Sequence, residues 1–531
     1  LTGPVAPLEV ELKLAVEPAA LAAVGRHPAV RALAQARPRT ARVISTYYDT
    51  PDRRLRDAGV ALRMRRSGRT WLMTVKGRAG DEASLSVRPE YEWPVRRGEI
   101  DTMRLATTPW RSLFTKALAK GGLAPVFTTD FRRRSIAIAF EDGTRATLAV
   151  DDGRIDAIDR AVRERPPPSG QADLQRISEI EIEVAAGDPM RAVELARVLA
   201  ADLPLRVEPR SKAARGYALA DRVAARPVRA LDPAMHDGLG ARAAAAAVVS
   251  ECLRQIEGNA PYLPDGTDPE WIHQMRIGVR RLRSSLSLNG RLHDAAAVEA
   301  LKLETRWLLD ALGPARDLDV FALETLPAAR ADLASLGSAD TTTARLLTNL
   351  VPVVARRRRH AREQASEAVT SSRFLQLVLD ARRLALASAI AADEDGQEAR
   401  AFAIRRLDKR ARGLARAGTK LASAGTDERH AVRIAAKKLR YATEFFAPLF
   451  PAKRTRAFRR ALAALQQVLG EFNDAAVAPR VCAPIAGPAA PATAAIAAWS
   501  AARAAQMGPR IEVAWRDFER TPPFWKRTKH P

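Results

Sequence analysis

Near the amino terminus, in the run LEVELKLAV, Glu9, Glu11 and Lys13 stand two residues apart, interleaved with Val10, Leu12 and Leu14. Alternate residues of a strand point to one face, so both acids and the lysine share a side. Three charges cannot be buried against apolar matter, so that side must meet water, a metal ion or a charged ligand. The spacing recurs along the next two hundred residues. Arg63 and Arg65 alternate in VALRMRR, Lys76 follows Thr74 in WLMTVKG, and RPEYEWPV carries Arg88, Glu90 and Glu92. Beyond these come Arg132, Arg133 and Arg134 in DFRRRSIAIAF, Asp151 after TRATLAV, Glu179, Glu181 and Glu183 in SEIEIEV, and Ser211-Lys212. Such a mixture has a clear chemical use. Arginine and lysine clamp phosphate oxygens, while clustered carboxylates hold a divalent cation that bridges the same phosphates. Hydrolysis of a terminal phosphoryl group then needs mainly positioning and charge neutralisation, with water attacking in line.

The elements that must carry these residues are short strands, each with one charged and one apolar face. Strands of this kind cannot close around an apolar core. They can close into an antiparallel barrel with a wet, charged lumen, packed on its outside by helices such as one over residues 190–203. The proline-rich stretch 164–173 reads as an exposed connection between two strands. The residues leave two points open: which of Arg132, Arg133 and Arg134 faces inward, and which pair among Glu179, Glu181 and Glu183 meets a metal.

Taken in order, these motifs resemble the CYTH domain, the triphosphate tunnel metalloenzyme fold, over residues 8 to about 222. The resemblance implies an eight-stranded antiparallel tunnel that hydrolyses or cyclises triphosphate compounds. It implies substrate contacts from Lys13, Arg63, Arg65, Lys76, Arg133 and Lys212, with Glu90, Glu92 and Asp151 completing the polar lining. Glu9, Glu11, Glu181 and Glu183 would hold Mg2+ or Mn2+, and Glu9, Glu11 and Lys13 would form the catalytic group.

After residue 222 the register changes. Residues 223–234 read as a linker, and beyond it alanine, leucine and arginine take over with helical spacing. EWIHQMRIGVRRLR and ERHAVRIAAKKLR align at an offset of 157 residues, pairing His273 with His430, Arg276 with Arg433 and Arg283 with Arg440. The same offset carries Leu312-Gly313 onto Leu469-Gly470 and Asp317 onto Asp474, across dissimilar intervening sequence. One helical unit is therefore written twice. At about 100° per residue, His273, Arg276, Arg280 and Arg283 fall within roughly 80° of one another, apart from an apolar face of Met275, Val279, Leu282 and Leu286. His430, Arg433, Lys437 and Arg440 repeat the stripe, with Arg281 and Lys438 flanking. Asp317 and Asp474 read either as caps where helices end after Gly313 and Gly470 or as partners that orient a stripe arginine. The run Arg356 to Arg359 reads as a solvated face or a supplementary patch.

These paired segments resemble a CHAD domain over residues 235 to 520, with repeats at about 235–390 and 391–520. That resemblance implies binding of inorganic polyphosphate by His273, Arg276, Arg280, Arg281, Arg283, His430, Arg433, Lys437, Lys438 and Arg440. The fold expected is α+β: a β tunnel at residues 1–222, then an all-α domain of two repeated helical bundles. The whole resembles bacterial CYTH-CHAD inorganic triphosphatases.

Composition bounds this reading. Over 531 residues the formal charge is +25 and aromatics are only 5%, which points to anionic partners but away from base-stacking platforms. Two distant cysteines give no zinc spacing and fit a reducing compartment. The opening residues carry no secretory leader and no uninterrupted span appears, so a cytoplasmic protein without membrane contact, associated with polyphosphate granules, is expected. Leu1 in place of methionine leaves room for residues upstream. The expected partners are inorganic triphosphate and inorganic polyphosphate; nucleic acid is not expected as a specific partner. The competing readings are a non-catalytic polyphosphate or nucleotide receptor, and a hydrolase or cyclase acting on thiamine triphosphate or ATP.

Overall fold

A computed structural model describes residues 8–77, 85–96, 98–119, 121–158, 174–264, 266–335, 341–391, 396–419, 421, 424–487 and 490–526, with backbone only at 8–9, 86–88, 333–335 and 341–344. The stretch 164–173 lies outside the described residues. The chain divides into two compact units, Leu1–Pro227 with Thr370–Leu379, and Val228–Val369 with Asp380–Pro531. The sequence had given no hint that Thr370–Leu379 groups with the first unit.

The first unit is built on β1 (Leu8–Val16), β2 (Arg39–Asp49), β3 (Ala61–Ser67), β4 (Thr70–Lys76), β5 (Leu85–Pro94), β6 (Ala124–Ala139), β7 (Arg145–Ala157), β8 (Leu174–Ala186) and β9 (Leu205–Val207). All pairings are antiparallel, in the order β5-β4-β3-β2-β6-β7-β8-β1. A further pairing of β1 with β5 closes the eight into a ring. The ninth strand is a three-residue addition on the far end of β1. Closure leaves no long free edge.

The outward face is apolar. Leu62, Met64, Met73 and Val75 form a cluster with Leu55, Leu105 and Phe114, the last from α1 (Arg111–Ala119). Leu12, Leu14, Ile180 and Ile182 are also buried, and α2 (Met190–Asp202) packs on β8 with Val193, Leu195 and Leu199 turned inward. The helix α3 (Lys212–Asp221) begins where the Ser211 hydroxyl accepts from the Ala214 N–H at 3.0 Å. Ser211-Lys212 thus opens a helix instead of closing a strand set. Tyr217 of α3 meets the Phe127 ring edge-on at 5.2 Å, and Phe127 stacks on Tyr47 at 4.4 Å. Gly216 permits that approach, since a Cβ there would stand 2.1 Å from the Phe127 ring.

The second unit is helical: α4 (Ala241–Asn259), α5 (Glu270–Asn289), α6 (Ala295–Val320), α7 (Thr341–Thr370), α8 (Ala399–Gly418), α9 (Thr426–Phe446), α10 (Ala452–Ala486) and α11 (Pro491–Arg520). The 157-residue offset read from two motifs holds for the elements as well. It maps α4 onto α8, α5 onto α9 and α6 onto the first part of α10, and brings the 3-10 turn 290–292 onto 447–449. The two copies also bond to each other where they begin. Ala241 N–H donates to the Gln397 carbonyl at 2.8 Å, and Ala399 N–H to that of Leu239 at 2.9 Å. Met275, Val279, Leu282 and Leu286 are fully buried, as their face of the wheel requires. Gly313 and Gly470 do not end helices. α6 runs on to Val320 with Pro314 inside it, and α10 runs to Ala486, so Asp317 and Asp474 are helix-interior residues instead of caps.

Candidate active site and basic groove

Following register from strand to strand shows which residues share the barrel's inner face. Glu9 lies opposite Arg88, and Glu11 opposite Ser86 on β5 and Glu183 on β8. Lys13 lies opposite Glu181, and Ala15 opposite Glu179. Asp151 pairs with Glu179 on one side and Arg133 on the other, and Phe131 of the same parity pairs with Val43. From β2 the face continues through Ser45 to Arg65, through Arg63 to Thr74, and through Lys76 to Glu90. Apart from Arg132 and Arg134, every charged barrel-strand residue named from the sequence falls on this one face. Its inwardness follows from contacts between strands that are not neighbours, which only a concave side allows. Arg133 of β6 donates to Glu181 of β8, past the small Ala149 on β7. The tunnel-facing arginine is therefore Arg133; Arg132 is exposed on the other face.

Within the bore the charges form two groups. On one wall Arg65 donates to Glu92 at 2.7 Å, Lys76 meets Glu90 at 3.0 Å and Arg63 meets Glu90 at 3.4 Å. The Thr74 hydroxyl adds a bond to Glu92 at 3.1 Å. Burial lowers the Arg65 pKa, and repulsion from Arg63 and Arg133 adds to that, against the pull of Glu92.

On the other wall Arg133 forks onto Asp151 through Nε at 2.8 Å and Nη2 at 2.6 Å, while Lys212 reaches Asp151 at 2.8 Å, Glu181 at 2.7 Å, and Glu179. Arg215 also donates to Glu179. Burial alone would push Glu181 towards neutrality, yet Lys212 and Arg133 outweigh it and hold its pKa well below the usual range. Burial likewise pulls on Lys212 and Arg133, and the surrounding acids outweigh it, so both remain firmly cationic. Lys13 is different: burial lowers its pKa against the attraction of Glu179, Glu11 and Glu208.

Oxygens of Asp151, Glu179 and Glu181 lie within 4.8 Å of one another. Glu11 and Glu183 face each other further along the same strands, Glu11 buried and Glu183 exposed, outside that group. The Glu9 side chain lies outside those described. The sequence reading left out two residues, Arg215 and Glu208, which are buried beside Lys13 and Glu179; Glu179, one of the three acids among which it left the metal pair open, belongs to the acid cluster. Arg215 was open to discovery, since three residues after Lys212 on a helix opened by Ser211 is the same face.

In the second unit α5 packs against α9, and the cationic stripes approach each other through Arg280. Arg280 is near enough to depress the pKa of both Arg433 and Lys437 from the other copy, although burial is the larger cause in each. Lys437 is brought to about 7 by burial, then by Arg433 and Arg280, against Asp474. His273 is brought to about 4 by burial and then by Arg316. The Arg276 guanidinium donates to the Leu309 carbonyl at 2.9 Å, a seat left open by Gly313, whose added Cβ would stand 3.3 Å from it. Asp317 and Asp474 act on Arg276 and on Arg433 with Lys437. His430 meets Asn473 at 3.2 Å, and Arg440 donates to Glu444 at 2.6 Å. Arg283 is half-exposed and Lys438 exposed.

Arg281 departs from the expectation. It is fully buried, donates to Gln255 and to the Leu231 carbonyl at 3.1 Å each, and lies 3.7 Å from both Glu251 and Glu444. It ties the two copies together inside the bundle and presents nothing to the groove.

Residues 7–217 match the CYTH domain and residues 247–483 the CHAD domain. Over 176 residues the chain is 30% identical to an inorganic triphosphatase of Haemophilus influenzae, covering 33% of this chain and 45% of that protein. The chain thus spans less than half of that relative's length. A crystal structure of the CHAD domain from Ricinus communis is 31% identical, covering 56% of this chain and 99% of that one, with a TM-score of 0.48. A Hippeastrum protein, described as a candidate adenylyl cyclase with a dominant triphosphatase activity, is 17% identical, covering 40% of this chain and 95% of that one, with a TM-score of 0.28. No described helix is long and apolar enough to cross a membrane. The chain belongs to the proteins in which a CYTH domain is followed by a CHAD domain.

Proposed function

We propose that the barrel hydrolyses inorganic triphosphate to diphosphate and phosphate with the help of Mg2+ or Mn2+, and that the helical unit binds inorganic polyphosphate. The observation that carries the first part is Lys212 among Asp151, Glu179 and Glu181 on the inner face. Three carboxylates balanced by Arg133, Lys212 and Arg215 form a neutral set of hard oxygen donors, which suits a small divalent cation. When bound, such a cation would neutralise phosphate oxygens. Glu9, Glu11 and Glu183 extend the acidic side of that face and are proposed to serve the same cation.

The chain's own residues then divide the work. Arg63, Arg65 and Lys76 leave Glu90 and Glu92 to grip one end of a triphosphate, and Arg133 and Lys212 leave the acid cluster to grip the other. Lys13, kept less basic by burial, stands between Glu11 and Glu181 and completes the lining. An anion and a cation entering together exchange internal ion pairs for new ones, so neither need be bound at the expense of an uncompensated buried charge.

Convergence of Arg280 from one copy with Arg433 and Lys437 from the other supports the second part. His273, Arg283, His430, Lys438 and Arg440 extend the groove. A phosphate-release screen over triphosphate, ATP, thiamine triphosphate and long polyphosphate, with and without metal, tests the substrate. Release from triphosphate that depends on metal and is lost in Glu11→Gln supports the proposal; full activity in a folded Glu11→Gln variant counts against it.

A further inference from the structure

Helix α8 carries seven cations and one acid, Asp408, whose carboxylate is engaged by the Trp525 indole N–H at 2.8 Å. On the wheel Arg405, Lys409, Arg412 and Arg416 fall within about 60° and run for about 16 Å along the axis. All four are exposed, and among the described residues none forms an ion pair with a carboxylate. Arg406 and Arg410 flank this row, half-buried, with their pKa values lowered first by burial and, for Arg406, by the charges of Arg291, Arg405 and Arg410. A merely solvated helix face normally mixes signs; this one keeps its repulsion.

The duplicate helix sharpens the point. At the 157-residue offset, Arg405, Lys409, Arg412 and Arg416 correspond to Val248, Cys252, Gln255 and Asn259 of α4, all fully buried. One copy spends this face on the core, and the other turns it to solvent and fills it with cations. The row holds no aromatic to stack on a base and no amide to read a base edge, for the only aromatic of α8, Phe402, is buried under Arg406. Its groups suit a ligand that offers only phosphates.

Resting on the polyphosphate reading of the groove, we infer that the exposed face of α8 is a second polyphosphate track, engaged only by chains longer than the groove itself holds. The test uses the full chain with Arg405, Lys409, Arg412 and Arg416 all changed to Gln, which leaves the core untouched. Binding of a short polyphosphate, a several-fold longer one and duplex DNA is measured at several salt concentrations. The quadruple variant should bind the short chain as the parent does and the long chain at least tenfold more weakly. Four lost contacts should also make its slope of log affinity against log salt shallower by about 3 for the long chain. Unchanged long-chain affinity and slope would overturn this inference while leaving the groove reading intact, as would a loss confined to duplex DNA. Failure of the parent protein to bind polyphosphate of any length would remove both.

Discussion

The Lys212 ammonium, at the start of α3, lies 2.7 Å from a carboxylate oxygen of Glu181. In the proposed reaction, lysine and acid each stand where an incoming partner would bind. A triphosphate needs the ammonium and a metal needs the carboxylates, so each ligand releases the group the other requires. Metal and a non-hydrolysable triphosphate analogue should therefore bind cooperatively. Calorimetric titration should show each tightening the other by the same factor, as linkage demands. Independent binding would remove the exchange argument.

Asp151 has a fully buried side chain beneath Arg133 and Lys212. Its replacement by Ala leaves two cations facing each other without their shared acid. The metal-free barrel should lose about 3 kcal/mol of stability in denaturant unfolding, the usual scale for removing one member of a buried charged set. A loss below about 1 kcal/mol would indicate that water already screens the cluster.

The groove should be pH-sensitive through Lys437 and not through His273. With its pKa lowered to about 7, Lys437 is largely neutral at pH 8 and protonated at pH 6. The groups acting on it are Arg433 and Arg440 on its own helix, Arg280 on α5 and Asp474 on α10. An anion favours the charged form, so binding takes up a proton above pH 7 and affinity should rise as pH falls from 8 to 6. His273, at about 4, stays neutral over that range, contrary to its free-histidine titration. In a His430→Asn background, polyphosphate affinity in Lys437→Arg should be flat between pH 6 and 8; a slope that persists there and disappears on adding His273→Asn would reverse the assignment.

The two stripes differ at their last arginine. Arg440 is held by Glu444 one turn on, whereas Arg283 has Ser287 at the matching position. Ser287→Glu copies the second arrangement into the first and should weaken polyphosphate binding about two- to threefold, the scale of an i,i+4 pair plus an added negative charge. Fluorescence-anisotropy competition would detect it. No change would place Arg283 outside the ligand's path.

The fold was legible where one periodicity decided it. Alternation of Glu9, Glu11 and Lys13 sufficed to assign a charged inner face, and the duplicated histidine motif sufficed to locate both stripe helices. Other features rested on long-range partners that no local pattern carries. Arg281 sits about 120° from the stripe's centre on the wheel, a warning in itself, but only Glu251 and Glu444 explain why a guanidinium can be buried there. Gly313 and Gly470 suggested helix ends because glycine commonly ends helices; tertiary packing carried both helices through. Arg133 could not be chosen from three adjacent arginines until β6 was registered against β7.

The central claim is that acids and bases on one inner face bring a divalent cation and a triphosphate together. It is tested most directly by phosphate release from inorganic triphosphate, with and without Mg2+, by the parent protein and by Glu181→Gln, with thermal melting to verify folding. The account predicts metal-dependent release in the parent and a loss of at least about a hundredfold in the variant, since a buried group at the charged centre is removed. Equal rates in both proteins, or no release by the parent at any metal concentration, would contradict it.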